Sequence, residues 1–223
     1  MTLNKQILIT FILLLFSILF FAFTPLDDVI QSNFFNQETQ SWMLDKNAQP
    51  YKFIFYDGIK TLLILFALFL LYLYFQKSNT CSPYKKGLII VILSAILVPL
   101  IVGGLKKKTN MPCPQNLINY GGSYPKTAVW ESYPQSFKNK KHISCWPAGH
   151  ASGGFALLSL FFLFRKRKNK IIALSIGLTI GWTMGIYKML IGDHFFSHTF
   201  ITMVLAWLIV LIVAKITFKL MLR

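Results

Sequence analysis

Six runs of apolar residues divide the chain, and each is long enough, or nearly so, to cross a hydrocarbon layer about 30 Å thick. They cover Ile7–Phe23, Ile59–Phe75, Gly87–Leu105, Ala151–Phe164, Ile171–Tyr187 and Thr199–Phe218. The fourth run is short unless its helix begins near Ala148. Runs of this length are typical of membrane-spanning helices. The pattern therefore predicts an all-α, polytopic membrane protein with about six transmembrane helices.

The composition agrees with this pattern. Hydrophobic residues make up 55% of the 223 residues, charged residues only 13%, and the mean hydropathy is +0.55. The net charge of +16 is expected for a surface beside anionic lipid head groups, so we expect membrane lipids as partners. We exclude nucleic acid, since no basic helix is interleaved with exposed aromatic residues. No A-x-A site ends the first run, so we expect an uncleaved anchor rather than a signal peptide.

The loops fall on two sides of the membrane because successive helices alternate in direction. Five of the six residues of Arg165–Lys170 are basic, which indicates that this side is cytoplasmic. The loops after the first, third and fifth runs then lie on the outer side. The first of them, Thr24–Gly58, carries five of the seven acidic residues and several aromatic residues. We interpret it as a segment lying on the membrane surface and assign it no chemistry.

Three polar clusters occur at the outer ends of the last four runs: Lys106–Pro114, Cys145–Gly154 and Lys188–His198. In the second cluster a proline, a small residue and a glycine precede His150 at the start of a helix, where unpaired N–H groups suit a phosphate. Histidine exchanges a proton near neutral pH, and lysine is a common phosphate binder. We expect the three clusters to meet in one pocket, because they share a side and a membrane depth.

The third cluster contains two histidines four residues apart, His194 and His198, which would share one face of a helix. One of them can orient the other as a catalytic base or nucleophile. Together with Asp193 they can instead hold a metal ion. The metal hypothesis leaves Lys106 and Lys188 unexplained, since cations repel a cationic site. A third hypothesis is that the histidines only cap the last helix.

The three clusters, in this order, resemble the motifs of the type 2 phosphatidic acid phosphatase (PAP2) family, K-x6-R-P, P-S-G-H and S-R-x5-H-x3-D, on a six-helix core. The matching stretches are Lys106–Pro114, Pro147–His150 and Tyr187–His198, and the resemblance covers roughly Gly87–Phe218. It implies a PAP2-like catalytic core in residues 87–223. Residues 1–86 would form an N-terminal transmembrane hairpin with an outer interfacial loop, within one structural domain overall.

The resemblance implies a role for each matched residue. His194 would attack phosphorus and form a phosphohistidine, and His150 would protonate the leaving oxygen and then activate water. Positive charges and backbone N–H groups would hold the phosphate oxygens. These groups belong to Lys106, Lys188, Ala148 and Gly149. The mechanism implied needs no metal and no other cofactor.

The chain departs from the family motifs at several positions. Cys113 replaces an arginine, so a bidentate phosphate clamp is lost, and we expect Lys107 or Lys108 to compensate. Ala148 replaces a serine, and Lys188 an arginine. His198 replaces the aspartate that orients the nucleophilic histidine, and it supplies no negative charge. Asp193 is the neighbouring carboxylate that can take over this role or contact the substrate.

Two of the three cysteines, Cys113 and Cys145, lie in the outer loop beside motifs. An oxidising compartment favours a disulfide between them, which would tie the Lys106 segment to the His150 turn. Cys81 lies on the proposed cytoplasmic side, and we expect a free thiol there.

We therefore expect an integral membrane phosphatase that hydrolyses a lipid phosphate or diphosphate of the cell envelope. The Cys-Trp-Pro-Ala-Gly-His stretch resembles a bacterial branch of the family, which implies the bacterial cytoplasmic membrane with an active site facing the exterior. Two alternatives stay open. One is a lipid phosphotransferase of the same family, and the other is a metal-binding membrane protein that uses Asp193, His194 and His198.

Overall fold

The computed structural model describes residues 2–76, 83–134, 137 and 143–221, and Cys81 lies outside them. The elements, in chain order, are α1 (Leu3–Phe23), α2 (Leu26–Ser32), β1 (Phe35–Asn36), β2 (Ser41–Trp42), a π-helical turn (Phe53–Asp57), α3 (Gly58–Gln76), α4 (Pro83–Lys108), two 3-10 turns (Pro114–Asn116 and Ile118–Tyr120), α5 (Gly149–Ala156), its 3-10 continuation (Leu157–Phe162), α6 (Arg167–Leu190) and α7 (Phe196–Leu220). The prediction of an all-α, polytopic membrane protein is confirmed.

Five of the described helices are long and apolar enough to cross a membrane. The sixth predicted span is shorter: α5 and its 3-10 continuation together cover Gly149–Phe162. The helix begins directly after Ala148, as the short apolar run required. Because a 3-10 helix rises about 2.0 Å per residue rather than 1.5 Å, this pair of segments reaches roughly 24 Å. The tighter winding of the second half thus partly restores the missing length.

Helix α7 forms the centre of the bundle. Two-thirds (67%) of its apolar window is buried, compared with 6% for the span that contains α3. Helices α1, α4 and α5 pack against α7, and α6 packs against α5. The apolar side chains of α3, such as Leu62, Leu65 and Phe69, stay exposed. An exposed surface of this kind suits contact with lipid tails.

Helices α5 and α6 approach each other closely through glycines. Gly177, Gly181 and Gly185 are spaced four residues apart, so they share one face of α6. A Cβ atom at Gly154 of α5 would lie 2.7 Å from the Cα of Gly181, and one at Gly177 would lie 2.8 Å from the backbone N of Leu158. Small residues that let two backbones meet are a common basis of helix association in membranes. This contact fixes α5, and with it His150, relative to α6.

The Thr24–Gly58 segment folds over the end of the bundle that carries the three motif clusters. Strands β1 and β2 pair antiparallel, with Phe35 opposite Trp42. The two rings pack on Tyr120, with centroids 4.8 to 5.4 Å apart. The Trp42 ring also covers Gly192, whose positive φ of 74° favours glycine. The segment therefore forms a cap on the loops, rather than only lying on the membrane as the sequence suggested.

We expect Gly181→Leu to destabilise the bundle, because the new side chain must occupy the space of the Phe155 ring. Overpacking of this kind costs about 1–3 kcal/mol. The matched control is Gly103→Leu in α4, where an added Cβ meets nothing within 4 Å. Thermal unfolding of detergent-purified protein measures both. Equal unfolding midpoints for the two variants would contradict the role of this contact.

Candidate active site

The first two motif loops are joined by three bonds. The Thr109 hydroxyl donates to the carbonyl of Trp146 at 2.6 Å. The N–H of Cys145 donates to the carbonyl of Met111 at 3.0 Å. A disulfide links Cys113 to Cys145, with their Cα atoms 5.2 Å apart. The end of α4 and the start of α5 are thereby held together, which brings Lys106 beside Gly149: a Cβ atom added at Gly149 would lie 3.7 Å from Cδ of Lys106.

Ala148 occupies a different place from the one expected. It is fully buried, and its N–H already donates to the Thr202 hydroxyl at 2.8 Å. The expectation that this N–H holds a phosphate oxygen is therefore wrong. The free N–H groups at the start of α5 begin with Gly149, since the first turn of a helix leaves its donors unpaired. The bond to Thr202 instead anchors the α5 turn on α7.

The turn between α6 and α7 places His194 next to His198. The N–H groups of Asp193 and His194 both donate to the carbonyl of Lys188, at 2.8 and 3.2 Å. The Nδ1 atoms of His194 and His198 lie 3.4 Å apart. His194 lies in the segment between α6 and α7, and His198 lies in the first turn of α7, which begins only at Phe196. The contact between the two rings therefore depends on both.

The two histidines are almost completely buried, and His150 faces them. The ring centroids of His150 and His194 are 6.1 Å apart. Within the described part of the chain, Nε2 of His194 and Nδ1 of His150 have no hydrogen-bond partner. Burial lowers the pKa of His194 well below its usual value, and the nearby charge of Lys106 acts in the same direction. The His194 ring is therefore neutral at neutral pH, with a lone pair on one nitrogen.

Asp193 contacts cations and not the histidine that follows it. Its carboxylate accepts from Nζ of Lys188 at 2.8 Å, from Nε2 of Gln115 at 2.8 Å and from Nζ of Lys46 at 3.4 Å. The idea that Asp193 orients His194 in place of the missing aspartate is therefore wrong. His198 is the group that contacts His194. Asp193 instead fixes the position of Lys188, which is 6% exposed.

Tyr56 lies at the site, although no motif or periodic pattern in the sequence predicted it. Its ring meets His150 edge to face, with centroids 4.9 Å apart. Nζ of Lys188 lies 4.6 Å from the centre of the Tyr56 ring, a cation–π contact. The assignment of no chemistry to the segment before α3 therefore needs correction. Its contacts span about 100 residues of sequence, which no local pattern reveals.

A second residue of this segment, Asp27 of α2, holds the start of α7. Its carboxylate accepts from the N–H of Ser197 at 2.9 Å and from the hydroxyl of Ser197 at 2.5 Å. A carboxylate at a helix N-terminus is stabilised by the helix dipole. Burial nevertheless raises the pKa of Asp27 from 3.8 to about 6. Asp27 thereby positions the helix turn that carries His198.

Lys107, expected to replace the family arginine, is exposed. It lines neither of the two cavities that meet at His150. One of these cavities is polar, about 290 Å³, and is lined by Lys46, Asn47, Lys52, Tyr56, His150, Tyr187, Lys188 and Asp193. The other is largely apolar and about 390 Å³, and it runs between α3, α4 and α5 from Tyr56 and His150 to Leu70. Of the residues that the structure describes, only Tyr56 and His150 line both cavities.

The PAP2 superfamily matches residues 87–222, more than half of the chain. The chain belongs to the PAP2 superfamily. No curated protein and no solved structure matches it. The family implies phosphatase-type activity, and the matched residues begin in α4 and contain all three motif clusters. The segment that contributes Tyr56 and Asp27 lies outside the match.

The residues of the metal hypothesis do not converge. The carboxylate of Asp193 is bound to Lys188, whereas His194 and His198 contact each other. Among the described residues, no three His, Cys, Asp or Glu side chains are grouped as metal ligands. The geometry thus favours the PAP2 use of these histidines over metal coordination.

We expect the stability difference between wild type and Asp27→Asn to depend on pH. The pKa of Asp27 is about 6 in the folded protein, compared with an ordinary value of 3.8. The fold therefore favours the protonated carboxyl. The contribution of Asp27 to the free energy of unfolding is complete below about pH 3.8 and is lost as the pH rises through 6. The shift corresponds to about 3 kcal/mol. Wild type should therefore lose stability relative to the variant between pH 4 and pH 8. Asp28→Asn, which breaks a surface ion pair with Lys126, is the control. Parallel pH profiles would contradict this account.

We expect the Cys113–Cys145 bond to be present in purified protein and to contribute about 4 kcal/mol, because it closes a loop with a sequence separation of 32. Alkylation before reduction should label one cysteine, Cys81, and after reduction all three. The Cys113→Ser/Cys145→Ser variant should unfold at a lower temperature than wild type. Labelling of three cysteines before reduction would refute the bond.

Proposed function

We propose that this PAP2 protein is an integral membrane phosphatase that hydrolyses a lipid phosphate or diphosphate through a phosphohistidine on His194. The observation that carries the proposal is the unpartnered Nε2 of His194, on a ring held by His198 and facing His150. A neutral imidazole with a free lone pair is a nucleophile. Lysines around it attract the phosphate that it would attack.

His198 takes the place of the family aspartate. With the proton of His194 on Nδ1, that N–H points at Nδ1 of His198, 3.4 Å away. His198 then accepts through Nδ1 and carries its own proton on Nε2. This tautomer leaves Nε2 of His194 unprotonated for attack. A neutral acceptor orients the nucleophile but stabilises its positive charge less than a carboxylate would.

His150 would exchange the protons of the two steps. In the first step the Nε2–P bond forms as the bond between phosphorus and the leaving oxygen breaks, and His150, protonated next to the anionic substrate, gives its proton to that oxygen. In the second step neutral His150 takes a proton from water, which attacks phosphorus and breaks the P–N bond. Free phosphate leaves, and both histidines return to their initial states.

The phosphate oxygens would be held by positive groups. Lys106 adjoins Gly149 at the start of α5, and Lys188 is fixed by Asp193. The free N–H groups of the first α5 turn point in the direction that favours an anion. Phosphoryl transfer depends largely on such positioned positive charge. These groups keep the positive side of the site although the family arginine is absent at Cys113.

The largely apolar cavity supports a lipid substrate. It begins at His150 and continues along Leu63, Phe66 and Leu70 of α3. A leaving group protonated by His150 would enter this cavity with its hydrocarbon chain. Cavities of 300–1,000 Å³ with mostly apolar walls are typical of ligand sites.

Two features support an active site that faces the exterior of the cytoplasmic membrane. The basic stretch Arg165–Lys170 follows the opposite end of the α5 segment from His150, and positive residues favour the cytoplasmic side. The Cys113–Cys145 bond lies at the end of the bundle that carries the site, and disulfides persist in oxidising compartments.

We expect purified protein to release phosphate from lipid phosphates in the presence of EDTA, and His194→Ala to abolish release. His198→Ala should lower kcat by about 10²–10⁴-fold, because the nucleophile loses its orientation. His198→Asp, which restores the family residue, should retain most of the activity. Phosphate release that EDTA abolishes and zinc restores would favour metal chemistry. Equal activity of His194→Ala and wild type would overturn the proposal. Product formation only with an alcohol acceptor would indicate a phosphotransferase.

A further inference from the structure

Three residues are spaced four apart along the helix that leads into and begins α3: Lys52, Tyr56 and Lys60. Lys52 lines the polar cavity, Lys60 lines the apolar cavity, and Tyr56 lines both. Tyr56 is in contact with His150. The helix contains a π-helical turn at Phe53–Asp57, and such turns are frequent at functional sites. We call the three residues the α3 stripe.

The lysines of the α3 stripe lack a counter-charge. Among the described residues, the carboxylates within 4 Å of a lysine pair with Lys46, Lys126 and Lys188, not with Lys52 or Lys60. Asp57 lies between the two lysines in sequence but forms no such pair. Lys60 also sits close enough to His150 to act on its charge. Lys60 is exposed and Lys52 is half-buried, so a ligand that enters the two cavities can reach both.

The position of the α3 stripe matches a particular part of the substrate. With the attacked phosphorus at His194 and the leaving oxygen at His150, the next group of the substrate lies between His150 and the apolar cavity. In a lipid monophosphate this group is the first carbon of the lipid, which gains nothing from lysines. In a lipid diphosphate it is the second phosphate, which carries negative charge at the place where the stripe carries positive charge.

We propose that Lys52 and Lys60 bind the lipid-proximal phosphate of a lipid diphosphate, which makes this class the preferred substrate. The inference rests on the proposed function. Attack by His194 on the terminal phosphorus breaks its bond to the bridging oxygen, and the leaving group is the lipid monophosphate. The two lysines stabilise the negative charge that this leaving group gains, with Lys52 in the polar cavity and Lys60 in the apolar cavity. The residues that set this preference come from outside the matched PAP2 core.

The test uses two substrates with one tail, farnesyl diphosphate and farnesyl monophosphate, in detergent with EDTA. We expect wild type to prefer the diphosphate in kcat/KM. Lys52→Ala and Lys60→Ala should each lower kcat/KM for the diphosphate by about tenfold or more, the size expected for a lost charge-assisted contact, and change that for the monophosphate by less than about twofold. The Lys52→Arg/Lys60→Arg variant should keep the preference for the diphosphate.

Lys126→Ala is the control, because it removes a lysine that lines neither cavity. It should leave kcat/KM for both substrates unchanged. Unfolding midpoints equal to wild type establish that the variants are folded. A wild type that prefers the monophosphate, or equal losses on both substrates in the alanine variants, would overturn the inference and leave the proposed function standing. A folded wild type that releases phosphate from neither probe, nor from other lipid phosphates, would overturn the proposed function and the inference with it.

Discussion

An excess of positive charge at the end of the bundle that carries the three motif clusters is the constraint on which the site depends. Lys106 and Lys188 lie with three histidines in a mostly buried pocket, and Asp193 is the carboxylate that contacts this group. Uncompensated charge is costly in such surroundings. The fold reduces the cost by keeping His194 neutral and by pairing Lys188 with Asp193. An anion in this pocket would offset the remaining positive charge, which supports the proposal that the pocket binds phosphate.

Hydropathy and motif spacing predicted much of this arrangement. The six apolar runs became helices, and the shared side of three clusters was enough to expect His150, His194 and Lys188 near one another. Local pattern carries such information because helix direction and length decide where each loop lies. The observed helix ends differ from the predicted ones by several residues, since capping and tertiary contacts decide where a helix ends.

The wrong or missing predictions about the site share one physical cause. Ala148 was assigned a free N–H, but Thr202 of a distant helix takes it. Asp193 was considered as a partner of His194, but the turn at Gly192 directs its carboxylate to Lys188 and Gln115. Tyr56 and Asp27 were overlooked because their partners lie about 100 and 170 residues away. Each contact joins segments remote in sequence, so neither periodicity nor motif spacing records it.

The two main departures from the family motifs offset each other in charge. Cys113 removes the positive charge of an arginine, and His198 removes the negative charge of an aspartate. The net charge of the pocket is thereby kept at neutral pH, while both positions gain other functions: Cys113 forms the bond to Cys145, and His198 orients His194 without a carboxylate. An aspartate at position 198 would repel a phosphate as well as stabilise the nucleophile. A neutral partner lowers that repulsion, which matters more as the substrate carries more negative charge. The exchange at position 198 and the unpaired lysines of the α3 stripe therefore both agree with the inferred preference for a lipid diphosphate.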